Sequence, residues 1–359
     1  MPKKVEIDPF ISTSTDITSK QFSVESPGLF DITNRESKVK GFEFAHIYYF
    51  RLLIFHPKDM AKKQKVSLVL SSGGARGLAH VGVIEELEER GYEIAEIAGC
   101  SAGALVGGMY ASGKMEEFKN WICNLDRIDV FSLMDFTFSS KGFIKGEKVF
   151  SALKKVVPDC QIEDLALPFS CNAVDVESGK EVIFDKGSLF AAIRASGSIP
   201  SVFIPAKQGN QPLIDGGVLN PIPISLLTPQ NDTLLVVVDV NGLDQEYIAP
   251  PKKDSKGNRF INSLPAWMID YKNKMTQYFP EEKPTEKDIS YSTLNLVKRS
   301  FDLLQDRFCE MLLEKHAVDV QVKVARKQAG TLEFYRAAEM IEIGRIKAQK
   351  ALDKLENGD

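Results

Sequence analysis

Five residues, Gly99-Cys100-Ser101-Ala102-Gly103, constrain this chain more than any others. A serine between two glycines closes the apolar run Glu96-Ile97-Ala98-Gly99 and opens the small-residue stretch from Ala102 to Ser112, with Gly113 as its C-cap. That order spells a strand, a sharp turn and a helix, with the serine hydroxyl raised at the turn. The same arrangement occurs upstream. Val66 to Leu70 is a short apolar run, Ser72-Gly73-Gly74-Ala75-Arg76-Gly77 a flexible loop, and Leu78, Val81, Ile84 and Leu87 recur at helical spacing with charges on the opposite side. Strands that alternate with helices pair in parallel and are covered on both faces, so the expected fold is a three-layer α/β/α with a mainly parallel central sheet. Further strands are expected over 169–176, 181–184 and 234–240, the last an almost unbroken apolar run suited to burial on both faces.

The chain divides by composition into four parts. Residues 1–59 form an N-terminal extension, polar and Ser/Thr-rich at first, then aromatic from Phe42 to Phe55. Met60-Ala61-Lys62-Lys63-Gln64-Lys65 reads as a start of translation just ahead of the first strand; the competing reading makes the aromatic run an arm lying in a membrane interface. Residues 60–245 hold the catalytic core. Residues 246–290 carry a polar, proline-containing loop and a candidate lid helix that places Phe260, Leu264, Trp267, Met268, Tyr271, Met275, Tyr278 and Phe279 at intervals of three and four. Residues 291–359 are expected to be helical and to pack on the core.

Charge and cysteines exclude several functions. A net charge of -4 over 359 residues offers no basic footprint for nucleic acid. The five cysteines, Cys100, Cys123, Cys160, Cys171 and Cys309, have no C-x-x-C spacing, so neither a metal site nor a disulfide framework is expected, and a reducing cytoplasm fits. With no apolar run of about 18 residues, any membrane contact is expected to be peripheral.

Ser101 needs a base. Only four histidines are present: His46 and His56 precede the core, His80 follows the glycine loop, and His316 lies in the charged C-terminal part. None follows an acid in the order that a hydrolase triad with histidine would require. Asp215-Gly216-Gly217 supplies a carboxylate before a tight turn, and a Ser101/Asp215 dyad is the economical reading. Backbone amides of Gly73, Gly74, Ala75 and Arg76 are placed to receive an oxyanion, because consecutive glycines let N–H groups converge. A nucleotide-binding loop is disfavoured, since the spacing is neither G-x-G-x-x-G nor G-x-x-x-x-G-K-[ST]. His80 and Cys100 are read as structural.

Together the glycine loop, Gly99-x-Ser101-x-Gly103 and Asp215-Gly216-Gly217 resemble the patatin-like phospholipase family, from about Val66 to the C-terminus. The stretch Ala195 to Phe203 resembles the family's block before the aspartate, and Asp175 to Lys180 its hairpin. Ser72 departs from the aspartate of plant members. The resemblance implies a serine acyl hydrolase that cleaves fatty-acyl esters of phospholipids or lysophospholipids through an acyl-enzyme, without cofactor or metal, and a loop ordered by Arg76. The alternatives are an acyltransferase or a thioesterase on soluble acyl substrates using the same site, and a catalytically silent lipid-binding protein.

Overall fold

The computed structural model describes residues 63–139, 142–228, 230, 232–242, 248 and 293–358. The 1–59 extension and the candidate lid helix over 260–279 lie outside them. The strands, in chain order, are β1 (Lys65–Leu70), β2 (Glu93–Cys100), β3 (Phe136–Ser139), β4 (Gly142–Ile144), β5 (Phe169–Asp175), β6 (Lys180–Phe184), β7 (Ala206–Gln208), β8 (Gln211–Asp215), β9 (Thr233–Gly242) and β10 (Val320–Ala325). The helices are α1 (Ala79–Glu89), α2 (Ala102–Ala111), α3 (Met115–Cys123), α4 (Arg127–Leu133), α5 (Glu147–Val156), α6 (Leu189–Ser196), α7 (Thr293–Lys315) and α8 (Ala337–Asn357).

The central sheet runs β10-β9-β1-β2-β5-β8-β7, and all neighbours from β10 to β5 are parallel. Alternation along β1 sorts its side chains between two layers. Val66, Leu68 and Leu70 face a large apolar cluster shared with α1, α2 and α8, while Val69 faces a smaller one shared with Val237, Ile222, Ile224 and Cys309 of α7. The architecture is the expected α/β/α sandwich, with α7 covering the second face.

The C-terminal part is more than helical. Val320, Val322 and Val324 are buried in β10, which extends the sheet in parallel beside β9. Their alternation with Gln321 and Lys323 is a strand signal, two residues in period, that the surrounding charged helices overshadow. Helix α8 then returns to cross α1, and the two backbones touch. A Cβ added at Gly82 would lie 1.9 Å from the Ile341 carbonyl oxygen, and one at Gly344 would lie 1.9 Å from that of Ala79. Around this crossing Arg90 pairs with Asp353 (2.6 Å) and Glu356 (3.0 Å), and Arg345 with Glu85 (2.5 Å) and Glu89 (2.7 Å).

Candidate active site

β2 ends at Cys100 and α2 begins at Ala102, so Ser101 alone makes the turn. Its φ of 54° and ψ of -114° are unusual for a residue with a Cβ. Such backbone stores on the order of 1–3 kcal/mol of strain, which the surrounding packing must hold. The flanking glycines show how tight that packing is. A Cβ at Gly99 would meet the Gly103 carbonyl oxygen at 2.5 Å, and one at Gly103 would meet the Leu70 carbonyl oxygen at 2.1 Å. The backbone N–H of Ser101 donates to Ser196 Oγ at 2.7 Å, tying the elbow to the end of α6.

Sheet register brings Asp215 to the same place. One edge of β5 pairs with β6 from Cys171 onward; the other pairs with β2 as far as Cys100 opposite Asn172, and from Ala173 onward with β8. β2 leaves the sheet at the elbow, and β8, running antiparallel, takes over the vacated edge with Asp215 opposite Ala173. Ser101 and Asp215 therefore meet end to end along one strand edge. Ser101 lies near enough to the Asp215 carboxyl to favour its charged form, and Asp215 Oδ1 accepts the Gly217 N–H at 2.7 Å and faces the Cys100 thiol at 3.8 Å. Burial pushes the Asp215 pKa up to about 6, and the hydrogen bonds from Ser101, Gly217 and Cys100 oppose that rise. Burial, followed by the nearby Asp215 charge, drives the Cys100 thiol well above its ordinary range, so it stays protonated.

The glycine loop forms a 3-10 turn over Gly74–Leu78. Gly74 has φ of 59°, and a Cβ there would lie 2.6 Å from the Thr331 carbonyl oxygen; one at Gly73 would lie 2.2 Å from Val240 Cγ2. The four amides differ in availability. That of Ala75 donates to the Thr331 carbonyl at 2.9 Å, whereas those of Gly73 and Gly74 have no acceptor among the described residues. They are the open donors of a helical N-terminus.

The Arg76 guanidinium donates from each of its three nitrogens to acceptors near the ends of β9 and β10. Nε donates to the Val240 carbonyl (3.0 Å), Nη1 to that of Ala329 (2.9 Å) and Nη2 to Asn241 Oδ1 (2.7 Å). Burial lowers its pKa to about 10, which leaves it charged at neutral pH. Arg76→Lys keeps the charge but not the planar fork, and each lost charged hydrogen bond is worth about 1.5–3 kcal/mol. The expected outcome is a fall of several degrees in the midpoint of thermal unfolding, with esterase activity reduced in parallel; an unchanged melting curve would contradict the clamp.

His80 lies beneath the loop, its Nε2 donating to the Ser71 carbonyl at 2.9 Å. Burial lowers its pKa to about 4, so it is neutral at physiological pH and holds the loop rather than Ser101.

Four further residues shape the site without an isolated sequence signal. Gln305, on α7, donates through Nε2 to Ser72 Oγ (3.3 Å) and to the Gly217 carbonyl (3.2 Å), joining the glycine loop to the aspartate turn. Arg326 in turn donates to Gln305 Oε1 at 3.3 Å and pairs with Asp302 and Asp306. Asn172 Nδ2 donates to Glu181 Oε1 (2.7 Å) and the Asn220 carbonyl (3.0 Å), and its Oδ1 lies where a Cβ at Gly216 would clash, at 2.3 Å. Ser196 falls inside the Ala195 to Phe203 block but carries no mark of its contact with the elbow.

Residues 68–228 match the patatin-like phospholipase family. An uncharacterized NTE family protein of Mycobacterium tuberculosis (strain H37Rv) is 33% identical over 340 residues, covering 82% of this chain and 93% of that protein. Lysophospholipase NTE1 of Candida glabrata is 31% identical over 212 residues, covering 57% of this chain and 12% of that protein. The corresponding protein of Cryptococcus neoformans is 27% identical over 302 residues, covering 81% of this chain and 17% of that protein. With these likenesses, the elbow serine, the buried aspartate and the glycine loop at one end of a parallel sheet, the chain belongs to the patatin-like phospholipase family of ester-hydrolysing enzymes.

Proposed function

We propose that the chain hydrolyses fatty-acyl esters of phospholipids or lysophospholipids through a Ser101/Asp215 dyad. The observation that carries this reading is the sheet register that brings buried Ser101 to the end of β8, where burial raises the Asp215 carboxylate pKa to about 6, beside a glycine loop whose Gly73 and Gly74 amides have no acceptor among the described residues. An aspartate in its ordinary range is a weak base, and burial makes this one better matched to the task. Ser101 transfers its proton to Asp215 as its oxygen attacks the ester carbonyl carbon. The oxygen of the tetrahedral intermediate meets the amides of Gly73 and Gly74, each worth on the order of 3 kcal/mol if well aimed. Of the four amides suggested by sequence, that of Ala75 is spent on Thr331, which narrows the oxyanion site.

Collapse of the intermediate breaks the ester bond, and the departing alkoxide takes the proton from Asp215. Asp215 then deprotonates a water that attacks the acyl-enzyme, releasing the fatty acid and returning the proton to Ser101. The test is a panel of phospholipids, lysophospholipids and p-nitrophenyl esters. Ser101→Ala is expected to lower hydrolysis at least about a hundredfold and to abolish fluorophosphonate labelling. Turnover that persists in this variant would refute the assignment, and acyl transfer to an added alcohol in preference to water would favour a transferase.

A further inference from the structure

Helix α7 is amphipathic in the reverse of the usual sense. Its inward side is polar as well as apolar: Gln305 reaches both catalytic loops, Asp302 and Asp306 pair with Arg326, and Cys309, Leu312 and Leu313 close the small cluster beneath the sheet. Its outward side carries an apolar stripe with charged residues beside it. Val297, Phe301, Leu304, Phe308 and Met311 recur at steps of four, three, four and three, and Leu296 and Leu303 widen the stripe by another row. Val297 and Leu304 are each 62% exposed, Leu303 and Met311 each 52%. Among the described residues the other large exposed apolar side chains are Leu219, just past the Asp215 turn, and Val176 and Ile183 at the β5–β6 hairpin, where Ile183 pairs with Asn172. Apolar surface is thus concentrated at the rim of the candidate site, where patches of this kind mark interaction faces.

Resting on the hydrolase reading above, we infer that the outward face of α7 docks on a phospholipid surface and presents the mouth of the Ser101 site to it. Two observations favour this occupant over another protein helix. The band formed with Leu296 and Leu303 is broader than the two-per-heptad seam of a helix pair, and suits a plane better than a groove. The apolar exposure also continues to the site: Leu219, just past the Asp215 turn, is exposed, and Gln305 of the same helix bonds both the glycine loop and that turn. The helix carries four cations and four carboxylates, with Arg307 between Glu310 (2.9 Å) and Glu314 (3.7 Å), so the attachment is apolar, that of a helix lying in the interface with its apolar face sunk.

The test uses the full chain with Val297→Gln and Leu304→Gln together, in wild-type and Ser101→Ala backgrounds. Flotation with vesicles of equal parts phosphatidylcholine and phosphatidylglycerol, read on the Ser101→Ala proteins, reports binding without turnover. The pair of changes is expected to weaken partition at least about tenfold. Hydrolysis of phospholipid in the vesicles should fall with it, while hydrolysis of a soluble p-nitrophenyl ester stays within about twofold of wild type, which also shows that the variant folds. Equal partition of both proteins, or no partition of either, would overturn the inference. So would a wild-type dimer in sedimentation equilibrium that the double variant dissolves, since the stripe would then join two copies. A protein that binds vesicles through this stripe yet cleaves no ester would support the docking face and refute the hydrolase reading.

Discussion

Asp215→Asn is expected to yield a protein that melts higher than wild type at neutral pH and hydrolyses esters at least about a hundredfold more slowly. Both effects have one cause, the burial of a carboxylate. The folded-state pKa of Asp215 is raised to about 6, above its ordinary value of 3.8, because desolvation outweighs the hydrogen bonds from Ser101, Gly217 and Cys100. A raised carboxylate pKa means that ionisation opposes folding. The penalty is absent below the unfolded value, grows as pH rises through the interval from 3.8 to about 6, and is complete above it.

A shift of this size corresponds to roughly 3 kcal/mol, and the loss of one acceptor in the amide leaves an expected gain of about 1–3 kcal/mol at pH 7. At pH 4 wild type already carries the proton, so the two melting temperatures should converge there. Calorimetry at the two pH values tests this directly. The activity of wild type should fall as pH drops through about 6, since only the ionised carboxylate accepts the serine proton. His80, with its pKa near 4, does not titrate in that range. Equal destabilisation by Asp215→Asn at both pH values would show that the carboxylate is needed for the fold and would remove the explanation.

Gly82→Ala and Gly344→Ala should each lower stability by about 3 kcal/mol or more, at the upper end for overpacked sites. In each case the added carbon would lie 1.9 Å from a backbone oxygen of the facing helix, Ile341 for Gly82 and Ala79 for Gly344. No rotamer change can relieve a clash with backbone, so α1 and α8 must separate. Separation also strains the ion pairs that Arg90 and Arg345 make across the crossing. The thermal midpoint is expected to fall by roughly 6 °C or more. Because both changes act on one contact, the double variant should cost less than the sum. An unaltered midpoint would mean that α8 is not a fixed part of the fold. The consequence reaches the site, since α1 follows directly from the glycine loop and carries His80.

Motifs with a local cause were legible from residues alone. The elbow at Ser101 demands small neighbours, because a Cβ at Gly99 or Gly103 would lie 2.5 or 2.1 Å from a backbone oxygen. Helix α1 announces itself by apolar spacing, and β9 by an apolar run; their boundaries differ from expectation by only a few residues. By contrast, β10 lies in a charged neighbourhood and is identified by the edge it occupies beside β9.

The residue sequence on its own determined the alternation of strand and helix, the sharp turn that carries a serine, and the presence of a carboxylate before two glycines, because each depends on neighbours a few positions apart. Only the folded chain decided which amides remain open, what Arg76 binds, and that Gln305 spans the glycine loop and the Asp215 turn. Those are long-range matters: Ala75 gives its N–H to Thr331, Arg76 closes on Val240 and Ala329, and Asp215 reaches Ser101 because β8 takes the edge of β5 that β2 leaves free. A hydrogen bond between residues far apart in the chain leaves no periodic trace in it, and its partners are chosen by sheet register and packing.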